Sequence, residues 1–212
     1  MSKKSLKRMP PSWPSEVEYL IDNTYEPSSL EPQPYTVPLS NDHPIHPFTS
    51  SPLLPVASDP HMPSSLVKIK SLENVKSLNE QTNHPAYPGY GLFATKDLKE
   101  QTLILKYTGV VTSTKNESIE QRNGKGSDYE LRFNEHYCID GLKKGSEARF
   151  INDYRGVLTK PNAIFHEYID LHSGRVKMGV WVRRGVVKIR KGEEIMVSYG
   201  KSFWRERGIL ND

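Results

Sequence analysis

Short runs in which apolar and polar residues alternate fill the last two thirds of the chain and are missing from the first third. Leu66-Val67-Lys68-Ile69-Lys70 alternates cleanly. Leu103-Ile104-Leu105-Lys106-Tyr107, Val180-Trp181-Val182-Arg183 and Ile195-Met196-Val197-Ser198-Tyr199 do so to varying degrees. A period of two over four or five residues predicts strands with one face buried. Pro88-Gly89, Asn123-Gly124, Ser173-Gly174 and Lys191-Gly192 mark turns between them. One helix is predicted in this region, Ser113 to Arg122, with Ser113 or Thr114 as its cap and Glu117 completing a capping box. No other stretch is long enough for a series of βαβ crossovers, which argues against a doubly wound parallel sheet. The expected class is therefore a β-rich α+β domain that begins near Leu66.

Residues 1–65 show no sustained period of 2 or 3.6 and mix Pro with Ser, Asn, Asp and His, as in Ser12-Trp13-Pro14-Ser15. Such a segment is expected to be largely disordered or extended. Within it, Glu16 to Asp22 clusters Val17, Leu20 and Ile21. Two readings stay open for that cluster: a short helix, or a linear motif that docks on a partner or on the domain itself.

Composition sharpens the boundary. Thirteen of the 16 prolines fall in residues 1–65, which carry 4 Lys+Arg against 7 Asp+Glu. The remaining 147 residues carry 25 Lys+Arg against 18 Asp+Glu, so the folded part is more basic than the whole-chain net charge of +4 implies. A moderately basic domain suits an anionic partner such as DNA, or a nucleotide-like cofactor; a solvated basic surface without a dedicated partner explains it about as well. Lys3, Lys4, Lys7 and Arg8 form a weak nuclear-signal candidate against the same background of solvated charge. Cys138 is the sole cysteine, which excludes a cysteine-built zinc site and an intramolecular disulfide framework. No run reaches the length of a membrane span and no apolar signal core opens the chain, so the expectation is a soluble intracellular protein.

Four stretches carry candidate chemistry. In Pro88-Gly89-Tyr90-Gly91-Leu92-Phe93-Ala94 a Gly-flanked turn runs into an apolar strand; it allows close approach of a ligand to the main chain, and equally describes a plain hairpin. Tyr129-Glu130-Leu131-Arg132-Phe133 and Tyr137-Cys138-Ile139-Asp140-Gly141 set aromatics among polar residues, as a groove wall or as β-core filling. Asn152 sits in Ala148-Arg149-Phe150-Ile151-Asn152-Asp153, where its amide must find partners or cost about 1–3 kcal/mol. Those partners can be a ligand or the fold itself. Lastly, Lys191-Gly192-Glu193-Glu194 leads a strand ending Ser198-Tyr199-Gly200, followed by Lys201-Ser202-Phe203-Trp204; Gly200 lets the chain redirect so that the phenol projects from the strand end.

Taken in order, Gly89-Tyr90-Gly91, Tyr107-Thr108-Gly109, Tyr129, Tyr137-Cys138-Ile139-Asp140, Arg149-Phe150-Ile151-Asn152, Pro161-Asn162 and Gly192-Glu193-Glu194 to Tyr199-Gly200 resemble the SET domain. The ending is similar to that of compact SET proteins without zinc, the minimal viral histone methyltransferase among them. The resemblance spans 66–204, leaving 205–212 as a short tail. It implies a β-clip of several small curved sheets with a C-terminal pseudoknot, in which the Asn152 segment is threaded beneath the chain ending near Tyr199. It implies an S-adenosylmethionine-dependent protein-lysine methyltransferase of the nucleus, acting on a histone tail or another lysine-bearing protein, with nucleosomal DNA as a further contact.

By the same resemblance Tyr199 is the catalytic phenol. Tyr90, Gly91, Leu92, Arg149, Phe150, Asn152, Asp153 and Trp204 hold the cofactor, Trp204 by stacking on the adenine side. Tyr129, Tyr107 and Asp140 line the substrate side, and Val197 stands near the channel where relatives carry Phe or Tyr. Two departures stand out: Asp153-Tyr154-Arg155 replaces the usual His-Ser-Cys after the Asn, and the zinc-binding cysteine tail is absent. A carboxylate cannot donate as an imidazole does, so hydrogen bonding there must differ. The implied chemistry is in-line methyl transfer to a neutral lysine, with orientation contributing roughly 7–11 kcal/mol. Two other classes fit the residues: a SET-like interaction module that no longer catalyses, motivated by Asp153 and Tyr154, and a basic nucleic-acid binder whose groove is incidental.

Overall fold

The alternation at Leu66–Lys70 becomes the strand Val67–Ser71, whose Val67 and Ile69 turn inward while Lys68 faces solvent. It pairs antiparallel with Tyr90–Ala94, as expected for a half-buried period of two. The computed structural model describes residues 9–25, 54–74, 84–113, 127–133, 137–206 and 208. Among them run sixteen short strands in small curled sheets and a single α-helix, Lys201–Glu206. This is the β-rich class expected. No helix among the described residues is long and apolar enough to cross a membrane.

Two four-stranded sheets carry most of the core. In one, Val56–Ala57, Ala163–Asp170, Val176–Val182 and Leu103–Lys106 lie side by side. Its central hairpin turns where the Asp170 carboxylate accepts the Ser173 N–H and hydroxyl, with Gly174 at φ +66°. An Asp and a Gly at those positions fix the turn. The other sheet orders Thr24–Tyr25, Val110–Ser113, Tyr137–Asp140 and Glu130–Arg132. Ile104, Leu105, Val111, Ile139, Val180, Val182, Ile195 and Val197 are fully buried within one apolar cluster. Ser113 ends a strand, and the rest of the helix predicted at 113–122 lies outside the described residues.

Where it is described, the N-terminal segment is extended and docked on the domain. Glu16 to Asp22 is not a helix: Glu18–Tyr19 forms a parallel pair with Lys144–Gly145, and Leu20 N–H donates to the Gly145 carbonyl at 2.7 Å. Val17, Tyr19 and Leu20 are buried by this docking, which repays an extended arm better than a helix would. Of the two readings, the motif docks on the domain itself. Residues 54–65 are also built in. Asp59 accepts from Lys106 Nζ at 2.5 Å, Lys177 Nζ at 2.7 Å and the Tyr168 hydroxyl at 2.6 Å, while Asp22 reaches Lys177 at 3.1 Å. Burial alone would raise the Asp59 carboxyl, but those three donors outweigh it and hold the group below its usual range. Ser64 N–H and the Tyr19 hydroxyl satisfy the buried Glu147. The segment read as largely disordered thus supplies the counter-charges of two buried lysines; residues 1–8, with the basic cluster, and 26–53 lie outside the described residues.

Candidate active site

Three stretches far apart in sequence converge on one cleft of about 430 Å³. The first is the turn 84–89, closed by Tyr87 N–H to the His84 carbonyl and Gly89 N–H to the Ala86 carbonyl, which delivers Tyr90. The second is the short 3₁₀ helix Glu147–Phe150 leading into the strand Asn152–Asp153. The third runs from Glu194 to Trp204. Asn152 pairs in parallel with Met196, and Asp153 with Val197. Tyr154 N–H donates to the Val197 carbonyl, and Asn162 N–H to the Met196 carbonyl. Successive carbonyls of a strand point to opposite edges, so the two ends of loop 154–162 grip the strand from both sides. Asn162 completes the grip: its Oδ1 accepts the Met196 N–H and its Nδ2 donates to the Glu194 carbonyl, each at 2.8 Å. This is the crossing expected of the pseudoknot.

Tyr199 reaches the cleft from the end of that strand. Its hydroxyl donates to the Ile151 carbonyl at 2.6 Å, which leaves the oxygen lone pairs to accept from whatever enters. Burial, reinforced by the nearby Asp153 charge, pushes its phenol above the ordinary range. Both favour the protonated phenol. Tyr107 is pinned by donating to the Tyr129 carbonyl at 2.5 Å, and burial pushes its phenol up as well. Phe165 meets the Tyr107 ring edge-on at 5.5 Å. Phe203 and Trp204, presented by the helix Lys201–Glu206, flank Tyr199 at 4.7 Å and 6.3 Å, the latter in stacked orientation. The result is an aromatic wall around one phenol, a surface that favours cations.

The polar contacts differ from expectation in an instructive way. Asn152 spends both amide hydrogens inside the protein, on the Tyr90 carbonyl at 2.9 Å and Glu194 Oε1 at 2.8 Å, and its main chain lies in the ladder with Met196 and Val197. Asp153 solves the problem posed by the missing histidine by accepting only. Arg155 N–H, the Arg155 guanidinium at 2.7 and 3.0 Å, Tyr199 N–H at 2.7 Å and Trp204 Nε1–H at 3.2 Å all converge on its buried carboxylate. Arg149, the one cationic residue lining the cleft among the described residues, has its guanidinium on the Gly141 and Leu142 carbonyls and over the Tyr129 ring at 4.2 Å.

Nine of the expected residues line the cleft together: Tyr90, Tyr107, Tyr129, Arg149, Phe150, Asn152, Asp153, Tyr199 and Trp204. Gly91, Leu92 and Asp140 do not. Leu92 is fully buried in the core. A Cβ on Gly91 would meet Glu194 Oε1 at 2.4 Å, so this glycine admits a side chain of the protein. Asp140 caps a turn through Ser127 Oγ and Leu142 N–H. Val197 also points into the core rather than the channel, and Phe165 occupies the aromatic wall instead. Residue types alone did not single out Phe165, because it sits in a strand whose alternation reads as ordinary packing. His84 and Glu194 were passed over too. Their signal was the position of a histidine and a carboxylate beside the two glycine-bearing turns.

Residues 89–200 match the SET domain. The chain is 36% identical over 121 residues to the histone-lysine N-methyltransferase, H3 lysine-36 specific, of Candida albicans, covering 52% of this chain and 13% of that protein. It is 30% identical over 115 residues to the histone-lysine N-methyltransferase set-2 of Caenorhabditis elegans, covering 52% and 7%. With the histone-lysine N-methyltransferase EHMT1 of Mus musculus it is 26% identical over 122 residues, covering 58% and 9%. The chain therefore corresponds to a small part of the length of each relative. With the matched residues running from the Gly89 turn to Gly200 and supplying most of the cleft lining, the chain belongs to the SET domain family.

Proposed function

We propose that this chain is an S-adenosylmethionine-dependent protein-lysine N-methyltransferase that acts on histone in the nucleus, with its basic surface toward nucleosomal DNA. The observation that carries the proposal is the meeting of the Tyr199 phenol, the Asn152–Asp153 strand and the Tyr90 turn on one cleft. The cleft suits the cofactor on three counts. Its volume lies within the range of small-molecule sites. Its aromatic faces at Phe150, Phe203 and Trp204 offer stacking for a purine. Arg149, its one lining cation among the described residues, is already engaged by main-chain carbonyls, so its guanidinium is held by partners other than the ligand. The relatives named above, all histone-lysine methyltransferases, support the substrate class.

S-Adenosylmethionine, when bound, supplies an electrophilic methyl group. Tyr90, Phe150, Asn152 and Trp204 would hold it, through main-chain groups and ring faces. The protein's own contribution is orientation and dryness. Tyr107, Tyr129, Phe165 and Tyr199 form a wall that strips water from an incoming lysine, and desolvation favours its neutral, nucleophilic form. Tyr199 accepts an N–H of that amine and so points the nitrogen lone pair; burial favours its protonated form. The proton leaves to water before transfer. Asp153 and Tyr154 motivate the inactive-module reading, yet the Asp153 bonds to Tyr199 and Trp204 tie the site together.

The test is Tyr199→Phe, assayed with methyl-labelled cofactor and histone peptides and, separately, by cofactor titration. Loss of orientation should cut transfer by about 10²-fold, with cofactor affinity within a few-fold of wild type. Full activity in the variant would end the catalytic assignment.

A further inference from the structure

We infer that His84 is a positioning residue for the cofactor side of the cleft, acting through Glu194 on Asn152 and on the main chain at Tyr90; this rests on the reading of the cleft given above. His84 precedes the segment that matches the family. Its side chain is 1% exposed and that of Glu194 is 8% exposed, with His84 Nε2 3.1 Å from Glu194 Oε2. The other ring nitrogen, Nδ1, accepts the Ala86 N–H at 3.1 Å. An imidazole nitrogen that accepts carries no proton, so the hydrogen sits on Nε2 and is donated to Glu194.

From there the chain of bonds continues without a gap. The other Glu194 oxygen, Oε1, accepts from Asn152 Nδ2, and the same amide nitrogen donates to the Tyr90 carbonyl. Among the described residues no lysine or arginine nitrogen lies within ion-pair distance of Glu194. The imidazole is therefore what holds the outer oxygen, and the bare Cα of Gly91 is what makes room for the carboxylate. Losing the Nε2 donor frees the carboxylate to swing toward water. Asn152 then loses one partner and with it the restraint on Tyr90, whose neighbours Pro85, Ala86 and Gly89 also line the cleft. The Nδ1 bond, by contrast, serves only the local turn. The two nitrogens of one side chain thus separate a local structural role from the role proposed.

That separation gives the experiment. In His84→Gln the amide nitrogen replaces Nε2 and can still donate to Glu194. In His84→Asn the amide oxygen replaces Nδ1 and keeps the Ala86 bond, but nothing reaches Glu194. Full-length wild type and both variants are compared by calorimetric titration with S-adenosylmethionine, by steady-state kinetics, and by hydrogen exchange over residues 84–92 without ligand. His84→Gln should stay within about threefold of wild type in Kd. His84→Asn should raise both Kd and cofactor KM at least tenfold, leave kcat at saturating cofactor within twofold, and speed exchange over 84–92. Equal losses in the two variants, or a loss in kcat at unchanged cofactor KM, overturns the inference. Should the His84 variants fail to fold, Glu194→Gln sets an amide N–H₂ against the imidazole donor and should weaken cofactor binding similarly; unchanged affinity overturns the inference. Absence of binding by wild type would refute the functional reading instead, and the exchange difference between Asn and Gln at position 84 would still decide whether His84 restrains the Tyr90 turn.

Discussion

Asp153 joins three parts of the site that no other described side chain joins, so its replacement is the sharpest test of the geometry. Oδ1 accepts from Arg155 N–H and Nη1; Oδ2 accepts from Arg155 Nη1, Tyr199 N–H and Trp204 Nε1–H. In Asp153→Asn the new amide N–H₂ must face one of these two sets of donors. Facing Arg155 is cheaper, because that side chain is 30% exposed and can turn to water. The loss is then chiefly the charge-assisted contact, about 2 kcal/mol. Asp153→Ala also strands the Tyr199 and Trp204 N–H groups, each worth about 1–3 kcal/mol when buried without a partner, for a total of about 5 kcal/mol. Asp153→His restores the residue usual in relatives, yet an imidazole has at most one acceptor nitrogen for all these donors, so it should be at least as destabilising as Asn. Urea unfolding followed by tryptophan fluorescence reads the series, as midpoint shifts at constant slope. An alanine variant no worse than the asparagine one, or both within about 0.5 kcal/mol of wild type, a shift typical of featureless surface sites, would show that the carboxylate does not hold the site together.

Two further outcomes follow from the buried charges and the tight turn. Asp59→Asn should cost about 2 kcal/mol, below the usual cost of breaking a buried pair because Asp59 is partly exposed. Since its folded pKa is depressed, the wild-type contribution is complete above the ordinary aspartate value of about 3.9 and fades as pH falls below it. Chemical denaturation across that acid range should show a slope that the variant lacks. Gly91→Ala drives a methyl group into Glu194 Oε1, a carboxylate fixed by His84 and Asn152, and should cost about 1–3 kcal/mol and weaken cofactor binding; an alanine variant with wild-type stability and affinity would mean that Glu194 has another place to go.

How much of this could be read from residues alone depends on what kind of contact each residue makes. Strands with one buried face announced themselves through alternation, as Val67 to Ser71 shows, because the pleat converts burial directly into a period of two. Tyr199, Asn152 and Trp204 were legible as an ordered series of motifs. The arm was not. Trp13, Val17 and Tyr19 are apolar residues in a Pro-rich stretch, and what orders them is a sheet edge at Lys144–Gly145 more than a hundred residues away. Asp22 and Asp59 likewise look like solvated charge until Lys106 and Lys177 are seen facing them from the central sheet.

The same limit applies to the partners of the site residues. Gly91 was read as an opening for a ligand because a missing Cβ invites close approach; the approach is real, but Glu194 makes it. Asn152 was read as needing partners, in a ligand or in the fold, because a lone amide lies among apolar residues; its amide hydrogens find them in Tyr90 and Glu194. Asp153 was expected to change the hydrogen bonding because a histidine is usual there; an acceptor placed before four N–H groups does the joining. In each case the chemistry of the residue is legible in the sequence and its partner inside the fold is not, since that partner comes from another turn of a chain that crosses under itself. A cleft stitched in this way transmits a change at His84 or Asp153 to the Tyr90 turn and the Tyr199 phenol, although neither residue has to touch substrate.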